Sequence, residues 1–465
     1  MINSEQQVVV KKNKIKHMKI IIAGAGDVGF HLAKLLSYES QDIYIIDLDA
    51  EKLNYLDSHL DIITTKGDAT SLKTLQDIGI AKTDLLIAVT DSQNTNFTIA
   101  ILGKKLGAKK TVARINNPEF INCTTIDLKE LGLDYVISPE ELAAKEIKML
   151  LDQSTFNDSI TFEEGILNIV GSTLEKSSPI LNLSVQQTKN KFPEIEFITI
   201  AVKRVGDTQT LIPRGDTTFE LGDEVYFSCP KSSLEKLHLL TGKEAYKVKD
   251  VMILGGSKIG DKSARKLCKE KYKVKLIEKD KTKALDLAEK LQNTLVIKGD
   301  GRNLELLEEE NIREMDAFVA VTGNSETNIM SCLVAKSKGV KKTIALVENM
   351  DYINISQTIG IDTLINKKLL AASEIFKHVR KGAVLALANL KYVDAEVLEF
   401  EVMPNSKVTQ NQVKDIKLSK DAVFGGVIRN GKALMTFGDF QIIAKDKAVV
   451  FCLPDAISEV EELFK

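Results

Sequence analysis

MKIIIAGAGDVG, residues 18–29, is a short apolar run that passes directly into Gly24-x-Gly26-x-x-Gly29. An apolar strand feeding a glycine-spaced turn, with a helix behind it, is the opening of a βαβ unit that cradles a dinucleotide phosphate. Gly24 permits the tight turn. Gly26, between Ala25 and Asp27, lets backbone N–H groups approach the diphosphate, and Gly29 lets the helix pack closely. Beyond Val28 that helix shows Leu32, Leu35 and Leu36 on its apolar side, and its N-terminus offers unpaired donors and partial positive charge. The next apolar run, IYIID, ends on Asp47, 18 residues past Gly29, placed to accept ribose hydroxyls. A carboxylate there repels a 2′-phosphate, which favours NAD(H) or another adenosine nucleotide over NADP(H).

The chain then says this again. DVMILGGSKIG, residues 250–260, keeps Gly255 and Gly260 but has Ser257 in place of the middle glycine. With the loops aligned, Asp47 falls on Glu278, Lys66-Gly67-Asp68 on Lys298-Gly299-Asp300, and Ala88-Val89-Thr90 on Ala320-Val321-Thr322. The register persists through Gly107 to Thr111 against Gly339 to Thr343, and LAAKEI (142–147) against LAASEI (370–375). So many short matches in step indicate a duplicated unit. A second sort of segment also repeats: IPRGDTTFELGDEVYF (212–227) resembles LMTFGDFQIIAKDKAVVF (434–451), with Gly215-Asp216 on Gly438-Asp439 and Asp223 on Asp446. The order is A1, B1, A2, B2, with expected boundaries of 1–17 for a tail, 18–155, 156–245, 246–384 and 385–465.

Within A1, apolar runs at 20–23, 43–46, 62–65, 85–89 and 111–115 alternate with helical spacing at 31–37 and 97–106. Short buried strands alternating with helices predict an α/β fold in which each A unit is a Rossmann-like, doubly wound parallel sheet. The B units, with short strands around a polar hairpin, predict small α+β modules. Ligands of a doubly wound sheet lie at the carboxyl ends of its strands. Gly67, Asp68 and Ala69 therefore pass near an adenine ring, and Thr90 and Asp91 meet ribose or phosphate. Arg114 either neutralises a diphosphate or bridges to a nearby carboxylate. In A2, Gly323 stands for Asp91 and Leu346 for Arg114, which makes an altered or merely structural site.

Composition narrows the class. The 465 residues are 44% hydrophobic and 28% charged, with 8 prolines and a net charge of −2, which fits several globular domains and no nucleic-acid partner. No apolar run is long enough to span a bilayer, so the expectation is a soluble chain, or one held at a membrane by a partner. The basic stretch Lys11 to His17 reads as a tail. Cys123, Cys229, Cys268, Cys332 and Cys452 show no paired spacing and read as free or buried thiols in a reducing cytoplasm. The histidines, His17, His31, His59, His238 and His378, form no acid–base pattern, and the hydrolase, zinc-protease and P-loop motifs are missing. Two readings stay open on these residues, an NAD-dependent oxidoreductase and a soluble nucleotide sensor acting on a transporter.

The A-B-A-B order, KGDAT at 66–70 and VTDSQNTN at 89–96 together resemble the TrkA family, regulatory subunits of Trk-type potassium uptake systems built from tandem RCK units. The resemblance spans residues 18–465. It implies RCK N-terminal domains for the A units and RCK C-terminal domains for the B units. It further implies a non-enzymatic protein that binds NAD(H) and, in some members, ATP or ADP. Such a protein forms a homotetrameric ring beneath a membrane potassium-translocating subunit, on the cytoplasmic face of the inner membrane. Cofactor positions implied by the resemblance are Gly24, Gly26, Asp27, Val28, Asp47, Thr90, Asp91 and Arg114, then Gly255, Gly256, Lys258, Ile259 and Glu278 in the second copy.

Overall fold

The apolar runs of A1 become adjacent strands of one sheet in the computed structural model. The structure describes residues 18–37, 41–121, 125–207, 209–243, 246–349, 360–377, 384–389, 393 and 395–465; the expected tail with its basic stretch, Cys123 and His378 lie outside them. The described residues fall into two compact units that divide between Ser138 and Pro139.

The first unit holds β1 (Lys19–Ala23), β2 (Asp42–Asp47), β3 (Ile63–Lys66), β4 (Leu85–Ala88), β5 (Lys110–Arg114) and β6 (Tyr135–Ile137). All pair in parallel, in the order β3-β2-β1-β4-β5-β6. Ile20, Ile21, Ile22 and Ala23 are wholly buried, as a strand covered on both faces must be. The order reverses between β1 and β4, and the splayed loops there open a crevice at the strands' carboxyl ends. β6, Tyr-Val-Ile, is an apolar run of only three residues, too short to stand out, and lies outside the strands expected from the sequence.

The second unit repeats this sheet as β13-β12-β11-β14-β15-β16, from β11 (Asp250–Leu254), β12 (Lys273–Glu278), β13 (Thr294–Lys298), β14 (Ala317–Ala320), β15 (Lys342–Leu346) and β16 (Thr363–Ile365). The helix Pro139–Asp152 joins its core: Ala143, Ile147, Leu150 and Leu151 are buried together with Val251, Ile253, Leu267 and Leu346. Burying each such leucine or isoleucine contributes about 1.5–3 kcal/mol. Glu141 fixes the helix's rotation by pairing with Lys262 at 3.1 Å and Lys266 at 2.5 Å.

The B modules are antiparallel. The first, of order β7-β8-β10-β9, contains β7 (Asp158–Phe162), β8 (Leu167–Thr173), β9 (Ile198–Lys203) and β10 (Glu224–Pro230). The second, β17-β18-β21-β19-β20, contains β17 (Val384–Asn389), β18 (Glu396–Glu401), β19 (Ala422–Arg429), β20 (Lys432–Leu434) and β21 (Lys447–Cys452). They share one core, in which Phe162, Leu167, Ile169 and Tyr226 meet Val397, Ile428, Val449 and Phe451. The repeated aspartates shape the hairpins: buried Asp223 accepts from Arg204 at 3.1 Å and from the Glu220 N–H at 2.8 Å, and Asp446 accepts from Arg429 at 2.7 Å and the Ile443 N–H at 3.0 Å.

Among the described residues no helix is long and apolar enough to cross a membrane. Among the described residues Cys229, Cys268, Cys332 and Cys452 stand outside any disulfide, and burial pushes the Cys229 thiol up to about 12.

Candidate nucleotide sites

The three glycines of the first loop do three different things. Gly24 has φ +116°, and a Cβ there would stand 2.9 Å from the Thr90 nitrogen. A Cβ on Gly29 would stand 1.9 Å from the Gly24 carbonyl oxygen. These two let loop, helix and β4 touch. At Gly26 a Cβ would meet nothing within 4 Å, so this residue faces open space above the N-terminus of the helix Asp27–Ser37. Val28 beside it is buried in the core.

Asp47, at the end of β2, is oriented by backbone. The Ala25 N–H donates to Oδ2 at 2.6 Å and the Asp49 N–H to Oδ1 at 2.9 Å, which leaves lone pairs on both oxygens for hydroxyl donors. One residue on, Leu48 is 69% exposed, an apolar surface that strand pattern alone did not single out. At the end of β3 the Gly67 N–H donates to the Asp47 carbonyl at 2.9 Å. Asp68 accepts from the Thr70 hydroxyl at 2.7 Å and its N–H at 2.8 Å, and these bonds lower its pKa. Ala69 is buried behind it.

The β4 and β5 ends are tied by a residue the sequence reading quoted without singling out. Buried Asn96 accepts from the Thr90 N–H at 2.8 Å and hydroxyl at 2.7 Å, and donates from Nδ2 to the Thr90 and Arg114 carbonyls, each at 3.0 Å. The signal was present as an asparagine six residues past the threonine in both copies, Thr90/Asn96 and Thr322/Asn328. Asn328 repeats the bonds, to the Thr322 N–H at 3.0 Å, its carbonyl at 3.1 Å and the Leu346 carbonyl at 2.8 Å. Arg114 lies half-buried with Nη1 4.0 Å from Asp91 Oδ1, while Asp91 is 99% exposed. Both readings of Arg114 thus meet in one geometry: a carboxylate is near, but at the outer limit of an ion pair.

The second cleft, of ≈ 630 Å³, is lined by Gly255, Ser257, Glu278, Lys279, Asp300 and Thr322 among others. Its tight contacts match the first: Gly255 has φ +104°, and a Cβ on Gly260 would stand 2.0 Å from the Gly255 carbonyl oxygen. The middle position does not match. Ser257 caps the helix Lys258–Lys269 by accepting the Gly260 N–H at 3.3 Å, and its hydroxyl donates to the Val321 carbonyl at 2.7 Å. Gly256 is enclosed, since a Cβ there would meet Leu287 at 2.3 Å. Ile259 is buried and Lys258 exposed. Glu278 accepts from the Gly256 N–H at 2.9 Å, the Asp280 N–H at 2.9 Å and Lys283 at 3.2 Å. Burial alone would raise its pKa, but these N–H groups and Lys283 outweigh it and hold the carboxyl below the usual range. Leu346 is buried where Arg114 stands in the first copy.

Residues 20–139 and 251–367 match the TrkA-N domain, and residues 169–242 and 397–465 the TrkA-C domain. The chain belongs to the TrkA family. Relatives include the Trk system potassium uptake protein TrkA of Vibrio alginolyticus, 32% identical over 456 residues, covering 96% of this chain and 99% of that protein. Trk system potassium uptake protein TrkA homolog 1 of Methanosarcina mazei is 30% identical, covering 96% and 100%. In three dimensions this TrkA family chain shares its fold with the GsuK channel, at TM-score 0.61 and 15% identity over 97% of this chain and 79% of that one. A GsuK channel structure described as bound to NAD gives TM-score 0.60 at 13% identity over the same shares. The TrkA-N matches cover the two parallel sheets, and the TrkA-C matches cover the antiparallel sheets from β8 and β18 onward, with β7 and β17 outside them.

Proposed function

We propose that the chain is a nucleotide-responsive regulator of a membrane potassium transporter, with its principal site in the first cleft. One observation carries the site: Gly26 opens onto free space at a helix N-terminus, while Arg114 waits at the same crevice with no carboxylate closer than 4.0 Å among the described residues. In this reading a diphosphate lies against the loop 24–29 and Arg114, and the ribose hydroxyls donate to Asp47. Thr90 and Asp91 meet the remaining polar groups. NAD(H) fits this set, and so do ADP and ATP, which present the same adenosine and diphosphate. Support comes from GsuK structures described as bound to NAD and to ADP, and from relatives named as Trk potassium uptake proteins. The oxidoreductase alternative has no histidine at these strand ends to move a proton.

The partner in this reading is a Trk-type potassium-translocating membrane subunit, and the chain acts as a homotetrameric ring on the cytoplasmic face of the inner membrane. A nucleotide that prefers one arrangement of such a ring shifts the gate by its difference in affinity, about 1–3 kcal/mol per coupled site. The test is potassium flux through the partner, with nucleotide titrated onto the intact complex. Asp47→Ala is expected to abolish NADH and ADP binding and with it the nucleotide control of flux. If binding is lost and control persists, the reading fails.

A further inference from the structure

The two clefts carry their charge at different ends. Arg114 of the first is exchanged for Leu346, and Asp91 for Gly323, so the second cleft loses its charged pair on the β14–β15 side. On the opposite side it gains two cations: Lys279 stands where the first copy has Leu48, and Arg302 where it has Thr70. Lys279 Nζ lies 3.2 Å from Asp300 Oδ2, and Arg302 reaches the same carboxylate through Nη2 at 2.7 Å and Nε at 3.0 Å. Lys283 lies 3.2 Å from Glu278. Around the ends of β12 and β13, three cations therefore face two carboxylates, an excess of one positive charge. The matching positions of the first copy, Asp47, Leu48, Lys52, Asp68 and Thr70, leave an excess of one negative charge.

A second difference points the same way. Asp47 accepts one backbone N–H on each oxygen, which leaves it free for a ribose diol. Glu278 Oε2 is taken by both the Gly256 N–H and Lys283, and Oε1 by the Asp280 N–H, so the ribose acceptor is occupied and its charge neutralised. The end of a Rossmann cleft that normally reads a bare ribose with a carboxylate reads a phosphorylated one with nearby cations. With Lys283 kept on Glu278, the mostly exposed Lys279 and Arg302 are free to swing from Asp300 to phosphate, and a guanidinium binds phosphate oxygens two at a time.

We infer that the second cleft takes an adenosine nucleotide carrying a phosphate on the 2′ or 3′ carbon of its ribose, held by Lys279 and Arg302. The first cleft takes nucleotides whose ribose is bare. The inference rests on the reading of both clefts as nucleotide sites and extends it to their selectivity.

Isothermal titration of the full chain with 5′-ADP, adenosine 2′,5′-bisphosphate and adenosine 3′,5′-bisphosphate tests it. One of the two bisphosphates is expected to fill a second class of site at least about tenfold more tightly than 5′-ADP, and which of them does so assigns the phosphate position. The double substitution Lys279→Leu and Arg302→Thr, which writes the first copy's residues into the second, is expected to erase that preference. Binding of 5′-ADP at the first cleft should stay unchanged, which also reports that the variant is folded. The inference is overturned if the preference survives the double substitution, if all three ligands bind the second cleft alike, or if that cleft binds none while 5′-ADP fills the first. If 5′-ADP fills neither cleft, the functional reading falls with it.

Discussion

Gly26 and Ser257 occupy the same place in two copies of one loop, and the surrounding folds treat them differently. At Gly26 the space is empty to 4 Å, and the helix behind it keeps its N-terminal donors for whatever enters. Ser257 turns its hydroxyl back into the protein, where it takes the Gly260 N–H and binds the Val321 carbonyl. The outer glycines, by contrast, are in near-identical contact in both copies, at 2.9 Å for the first and about 2 Å for the third. The motif therefore divides into two glycines that the fold requires and one that it does not, which in the proposed function serves the ligand. Only the second kind has been lost.

That division is easiest to break at its structural end. Gly29→Val and Gly260→Val each drive a side chain onto a carbonyl oxygen at 1.9 and 2.0 Å, and overpacking of this kind is expected to cost about 3 kcal/mol or more. Gly26→Ser, with open space around it, is expected to leave stability within about 0.5 kcal/mol while weakening nucleotide binding. Denaturant titration of the three variants, read beside their affinity for NADH, checks both halves. A destabilised Gly26→Ser chain would dissolve the division.

Asn96→Ala and Asn328→Ala come next. Each leaves a threonine N–H, a threonine carbonyl and a strand-end carbonyl without their buried partner, for an expected loss of about 2–4 kcal/mol. Because the bonding is the same in both copies, the two losses should agree within about 1 kcal/mol. A larger gap in the unfolding curves would show that the two strand ends are not equivalent supports.

These asparagines also mark how far the sequence carries. Five of the six strands in the first sheet are legible, β1 and β4 because a strand buried on both faces is a continuous apolar run, while β3, half-exposed with Ile63 at 51%, reads as a strand from its β-branched residues. β6, at three residues, carries too little pattern to stand out. The glycine loop and Asp47 were legible because their chemistry lies in local spacing. Asn96 was not, since its bond to the Arg114 carbonyl joins residues 18 apart, and nothing in its own neighbourhood requires that partner. The helix Pro139–Asp152 shows the same limit: its apolar face is plain from the spacing of Ala143, Ile147 and Leu150, but not that the core receiving it contains Val251 and Leu267. Lys279 and Arg302 were legible as letters. Only their convergence on Asp300 made them a feature of the cleft.

Arg114→Leu gives the first cleft the residue of the second. Removing a charge-assisted contact to phosphate is expected to weaken NADH and ADP by about tenfold to a hundredfold, about 1.4–2.8 kcal/mol. Adenosine, which has no phosphate, should bind nearly as before. If adenosine and ADP weaken in parallel, Arg114 shapes the crevice and does not meet the diphosphate.

The smallest effect belongs to Ser257→Gly, which restores the first copy's loop in the second. Glycine is only a few tenths of a kcal/mol worse than serine as a helix N-cap, and losing the hydroxyl bond to Val321 adds a comparable amount, so the expected cost in stability is about 1 kcal/mol. The substitution returns the Gly260 N–H to the cleft but leaves Leu346 in place of Arg114 and leaves Lys283 on Glu278. Affinity of the second cleft for 5′-ADP is therefore expected to rise by only about twofold to threefold, or roughly 0.5 kcal/mol. A rise to the level of the first cleft would mean that the glycine by itself makes the diphosphate site, and that the charges rearranged around the two clefts decide little between them.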